Sequence, residues 1–325
     1  MKFLGTAGFL SVIVALALGC SATAGNNQFE NTGGAGAGNG SGANGQGGDF
    51  NPAGTGGFNP TGGGGNSGNG CSVESQYVYV LSDANELYSF DPPSKTIKKI
   101  GTLGCNTTMS PNSMAIDRNA TAWVNYVQGD LFGDSGGALY KVSTKDASCE
   151  ASPTITLPAQ WYRLGMGFST DGAGLTTESL FVTGTGTIGA GDSPGLGQID
   201  MQSKQVKPIA NFSPSKYTGQ SAELTGTGDS RLFGYFTTSP VYVGEINKTS
   251  GAITNEKAIN GLNTPSAWAF SFWGGSFYLY AADAGNSSVT KYNPADGSVT
   301  TYMPDVGFRI VGAGVSTCAP VEPPK

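Results

Sequence analysis

The chain has no histidine among its 325 residues, and this absence removes whole classes of chemistry. A Ser–His or Cys–His nucleophile needs an imidazole to take its proton, so neither can be assembled. Charge is also scarce: 12% of residues are charged, 17 basic against 23 acidic, for a formal net charge of −6. That balance lacks the electrostatic footprint for phosphate and excludes nucleic acid as a partner. None of the five cysteines has C-x-x-C spacing, so without histidine no metal centre or cofactor is expected. With so few charges, the solvated surface must be built from Gly, Ser, Thr and Asn, a profile that suits an exported all-β protein.

What is present begins with Met1-Lys2, an apolar run from Phe9 to Leu18, and Leu16-Ala-Leu-Gly-Cys20. The run is too short and one-sided for a retained spanning helix. The segment 1–20 resembles the signals of bacterial lipoproteins, ending in a lipobox whose mild departure is Ala17. That resemblance implies that Cys20 becomes the acylated N-terminus and that the membrane partner is reached through lipid. Ser21, in place of the Asp that marks inner-membrane retention in Gram-negative lipoproteins, implies an outer-membrane address in the cell envelope.

From 21 to 70 the chain is rich in Gly, Asn, Ser and Ala with isolated Phe29, Phe50 and Phe58. Such a composition predicts a flexible tether reaching on the order of 40 Å. The echoed Phe50-Asn-Pro and Phe58-Asn-Pro read as low-complexity drift rather than docking motifs. With Cys20 set aside, Cys71, Cys105, Cys149 and Cys318 leave an even number in an oxidising compartment. Three pairings are open, as are four buried thiols. The favoured pairing is Cys105–Cys149 with Cys71–Cys318, because the second would lock a circular fold where it closes.

After Cys71 come short β-rich runs bounded by Gly, Asn, Asp or Pro. They recur in groups of four. One group runs from Ser113–Ile116 through Ala122–Tyr126, Gly137–Lys141 and Pro153–Leu157, and others open at Gly165, Glu223 and Ala267. Tyr77–Val80, Leu87–Phe90 and Ile97–Ile100 lack a fourth member, which Ile310–Ala313 supplies. The fold class is all-β: a propeller over 71–320, with 321–325 as tail, having five four-stranded blades closed by the C-terminal strand, with six or seven blades the alternative. Aligning the inner strands puts Ala115, Gly167, Thr225, Ala269 and Gly312 in one small column, read as side chains crowding at the axis. Phrases such as Tyr77-Val-Tyr-Val-Leu-Ser-Asp83 and Leu87-Tyr-Ser-Phe-Asp-Pro92 resemble the YVTN-like and NHL-like secreted β-propellers. This implies a fold, not an activity.

Gly133-Asp-Ser-Gly-Gly137 spells a serine-protease nucleophile segment, but without a base it reads as a Gly-rich loop. Gly184-Thr-Gly-Thr-Ile-Gly189 matches a dinucleotide fingerprint yet is followed by Ala-Gly-Asp-Ser-Pro-Gly, which cannot open the required helix. The acidic loops at Asp130–Asp134, Asp171 and Asp192 lack calcium-loop spacing and read as solvated turns. At the starts of inner strands, Asn112, Arg163, Glu223, Ser266 and Arg309 face one channel mouth and form the candidate ligand site, the bland alternative being that Arg309 and Glu223 pair with each other. Trp161, Tyr162, Trp268 and Trp273 offer sugar-stacking surface or interblade packing. The expectation is a non-enzymatic binding or interaction module for an envelope protein or polysaccharide. The alternative is a propeller enzyme, a lyase or lactone hydrolase, using mouth carboxylates or a bound metal.

Overall fold

The computed structural model describes residues 71–323 except 131–132, 186–192 and 263, and gives no side-chain placement for Asp130. The signal segment with Cys20, the 21–70 stretch, Asp192, 324–325 and most of the Gly184–Gly189 motif lie outside the described residues.

Five antiparallel sheets of four strands form a five-bladed β-propeller. The first blade holds β1 (Val78–Ser82), β2 (Glu86–Asp91) and β3 (Thr96–Thr102), completed by the C-terminal β20 (Ile310–Val315). The second comprises β4 (Ser110–Ile116), β5 (Thr121–Asp130), β6 (Gly133–Ser143) and β7 (Ile155–Thr156). The third runs β8 (Leu164–Thr170), β9 (Glu178–Gly184), β10 (Gly195–Asp200) and β11 (Gln205–Ala210). The fourth is β12 (Ala222–Gly226), β13 (Leu232–Phe236), β14 (Val241–Ile246) and β15 (Ile253–Ile259). The fifth is β16 (Ala267–Trp273), β17 (Ser276–Ala282), β18 (Ser288–Tyr292) and β19 (Val299–Met303). Every run read from the sequence falls in its expected blade. Among the described residues, no helix is long and apolar enough to cross a membrane.

Burial explains the compositions. Inner strands such as β8 and β12 are buried along their whole length, whereas the outermost β3 and β11 are largely solvated. Pro208 is tolerated because β11 is a sheet edge and its missing N–H costs no ladder bond. Each neighbouring pair of blades encloses its own apolar cluster: Leu81, Met114 and Tyr140 between the first and second, Trp123, Met166 and Phe168 between the second and third. Phe212 and Phe236, then Phe270 and Phe277, then Phe90 and Tyr280 fill the remaining three interfaces.

The ring closes where the favoured cysteine pairing places it. β20 pairs antiparallel with β1, Val80 opposite Ala313, and Cys71 is bonded to Cys318 with a Cα separation of 5.8 Å. Cys105 is bonded to Cys149, which ties the exit of β3 to the second blade. Closure gives β1 a partner on both sides, so it offers no open edge to an outside strand.

The small column needs a different reason from axial crowding. Innermost strands turn an edge, not a face, to the axis, so their side chains point sideways at the neighbouring blades. In the column, a Cβ on Gly167 would lie 3.0 Å from the Thr225 Cα and one on Gly312 would lie 3.0 Å from the Met114 nitrogen. On the same strands, a Cβ on Gly165 would lie 1.9 Å from the Ala222 carbonyl oxygen and one on Gly226 2.2 Å from that of Phe168. Glycine is therefore required where the backbones of β8 and β12 approach. The Gly133–Gly137 segment also departs from its reading as a loop. It opens β6 and extends the β5–β6 hairpin, with Gln128 opposite Gly136 and Gly129 opposite Asp134. Gly137 lets the Tyr162 backbone pass, since a Cβ there would meet the Tyr162 carbonyl oxygen at 2.3 Å.

Candidate functional site

The first residues of the five inner strands converge on one end of the axis, around a cavity of about 130 Å³. Asn112, Arg163, Glu223, Ser266 and Arg309 all line it, together with Trp268 and the apolar Pro111 and Val311. The register that aligned them in sequence thus brings them together in space.

Their roles diverge. Arg163 is fixed by Asp134, which accepts from Nε and NH2 at 2.9 Å each, while NH1 donates to Asn112 Oδ1 at 2.7 Å. Asp134 is buried, its side chain 2% exposed, whereas Arg163 keeps 33% and presents the remainder of its guanidinium to the mouth. Asn112 passes the restraint on, donating to Asn125 Oδ1 and to the Leu164 carbonyl. Asn125 in turn accepts from the Leu164 N–H at 3.0 Å. A bidentate carboxylate clamp of this kind fixes both position and plane of a guanidinium.

Glu223 does not pair with Arg309. It is 4% exposed and reaches across to β4, two blades away, where Ser113 Oγ donates to it at 2.8 Å. The N–H of Met166 on β8 donates to it as well. These bonds satisfy groups that would otherwise be orphaned at the axis. Burial pushes the Glu223 carboxyl well above the ordinary range, because no cation is close enough to repay the desolvation of a charge. Burial thus biases Glu223 toward its protonated form. Arg309 donates to Ser266 Oγ at 2.9 Å and has no carboxylate partner among the described residues. Ser266 Oγ is otherwise spent on the Asp283 and Ala282 carbonyls. The Trp268 indole N–H is buried and finds no hydrogen-bond partner.

The opposite end of the axis is tied shut. Glu178 accepts from the Arg118 N–H and from Thr317 Oγ1 at 2.7 Å each, and Arg118 NH1 donates to Thr317 at 3.1 Å. Arg118 NH2 also reaches Cys71 Sγ at 3.3 Å. This knot joins the second and third blades to the closure disulfide. Burial, with a smaller push from Asp117, raises the Glu178 carboxyl to about 7.

Of the aromatics with stacking potential, Trp161 and Trp273 are interblade core, and Trp268 lines the mouth. Asp134 is no solvated turn residue: it sits in β6 with its side chain buried against Arg163, because the Gly-rich segment expected to loop instead extends the β5–β6 hairpin. Among the described residues, no group of three or more acidic or cysteine side chains is placed to hold a metal ion.

No protein-family model matches the chain, and no curated protein does. Solved structures are similar at low identity. A protein of unknown function from Bacteroides caccae shares 15% identity over 69% of this chain and 71% of its own, at a TM-score of 0.38. TolB from Acinetobacter baumannii shares 16% over 70% and 52%, at 0.40. A gluconolactonase from Xanthomonas campestris shares 12% over 63% and 68%, at 0.37.

Proposed function

We propose that this chain is a non-enzymatic binding module of the bacterial cell envelope, held on the outer membrane by lipid at Cys20, with its ligand seated in the axial mouth. The observation that carries the reading is Arg309: a guanidinium without a carboxylate partner, beside an unpartnered indole N–H, in the cavity where five inner strands begin. A buried donor such as the Trp268 N–H is rarely left unmatched in a folded protein, and convergent polar groups at a concave mouth are the ordinary setting of a ligand site. The bound partner is an envelope protein or polysaccharide.

A photoreactive residue at Ser266, exposed at the mouth, tests this in living cells against the same residue at Leu175, which is 52% exposed in the β8–β9 turn. The expected result is a discrete adduct from position 266 alone. Equal capture at both positions would reject the mouth as the binding site. Glu223, a buried carboxyl at the mouth that burial biases toward its protonated form, is the observation that favours the alternative lyase or lactone-hydrolase reading. A matching base is harder to find, since Asp134 is committed to Arg163. Turnover of a lactone or uronide that disappears in Glu223→Gln would establish the enzyme.

A further inference from the structure

The hydrogen-bonding capacity left over at the mouth is lopsided. Both nearby acids are consumed, Asp134 by Arg163 and Glu223 by Ser113 and Met166. Asn112 spends its oxygen on Arg163 and its amide hydrogens on Asn125 and Leu164. What remains is donors. Arg163 uses three of its five N–H groups on Asp134 and Asn112 and keeps two. Arg309 spends one on Ser266 and keeps four. To these is added the Trp268 N–H. An ammonium or any donor-rich ligand would meet like groups at these side chains.

Charge narrows the class further. Arg163 is neutralised by Asp134, so the mouth carries the single uncompensated charge of Arg309. One positive charge calls for one negative charge, and a dianion would leave half its charge desolvated and unpaired. The cavity, about 130 Å³, is near the size that takes up one benzene. Its apolar wall of Pro111, Ala267 and Val311 suits a short carbon stem behind the anionic head.

We propose, resting on the reading of the mouth as the ligand site, that it takes a single carboxylate on a small apolar or sugar stem, clamped by Arg309 with the spare edge of Arg163. A carboxylate is planar, carries one charge and offers acceptors only, which matches a guanidinium edge. Either a free small acid or the acidic residue of a polymer supplies this chemistry.

The test uses the full-length protein and follows the Trp268 indole N–H by heteronuclear NMR during titration. The probes are propionate, its neutral isostere propionamide, inorganic phosphate and trigalacturonate. Propionate should move the Trp268 resonance saturably and propionamide should not. Arg309→Gln should weaken propionate about 10- to 100-fold, the loss of one charge-assisted contact, with the other indole signals in place. Trigalacturonate binding at least about tenfold more tightly than propionate would assign the carboxylate to a polymer, and equal affinity would assign it to a free acid. Equal response to propionamide, tighter binding of phosphate, or an unchanged affinity in Arg309→Gln would overturn the carboxylate assignment. If every probe is silent while position 266 still captures a partner, the carboxylate class falls and the mouth stands. If both are silent, both fall.

Discussion

Removing the closure disulfide should separate what the cross-link contributes from what the last strand contributes by itself. In Cys71→Ser/Cys318→Ser, the unfolded chain regains the freedom of a loop whose ends are 247 residues apart. The chain-entropy relation puts this at about 5 kcal/mol, against about 4 kcal/mol for Cys105–Cys149 with its separation of 44. For a domain of this size, about 5 kcal/mol corresponds to a fall in Tm of roughly 10–20 °C. The native state should survive, because β20 keeps its five-residue register with β1 and still buries Ile310, Ala313 and Val315. Thermal melts followed by far-UV circular dichroism, run beside Cys105→Ser/Cys149→Ser, give both the magnitude and the order. A fall of less than about 3 °C, or a larger fall for the shorter loop, would refute the closure argument. Non-reducing peptide mapping that joins Cys71 to Cys105 or Cys149 would refute it outright.

Gly165→Ala should destabilise by about 2 kcal/mol or more, since the new methyl meets the Ala222 backbone and nothing there can yield. Gly104→Ala, with open space around it, should stay within about 0.5 kcal/mol in the same urea titration. Glu178 makes stability pH-dependent: its folded pKa is raised to about 7, so the native state holds a proton that the unfolded state has already lost. Stability should therefore fall as pH rises from about 4.5 to about 7, by at most about 3 kcal/mol. Glu178→Gln should reduce that slope in chemical denaturation, the remainder belonging to Glu223, which burial raises in the same direction. A slope unchanged by the substitution would show that Glu178 is not a source of it.

How much was legible beforehand divides along physical lines. The blades were readable because alternating runs such as Ala122–Tyr126 and Phe277–Tyr280 end at turn residues, and the orphan Ile310–Ala313 had only one vacancy to fill. Parity of the cysteines, with Cys20 assigned to lipid, pointed to the two bonds observed between the other four. Site candidates were readable because equal register on equivalent strands means an equal height on the axis. Hidden from sequence was everything that depends on direction across the ring. Glu223 finds Ser113, 110 positions away, rather than Arg309. Asp134 lies in a Gly-rich run of poor strand propensity, which forms a strand where Gly137 admits the Tyr162 backbone. The small column was visible, but its cause is lateral contact between inner strands.

The central claim, an axial mouth occupied through Arg309 in the cell, is tested most directly by arginine-selective labelling with phenylglyoxal in intact cells and on the purified protein, read by peptide mass spectrometry. Arg231, paired with Glu245 and 45% exposed, serves as the internal reference. The account predicts that Arg309 is protected in cells and becomes reactive on purification while Arg231 labels equally in both. Equal labelling of Arg309 in the two preparations would contradict it.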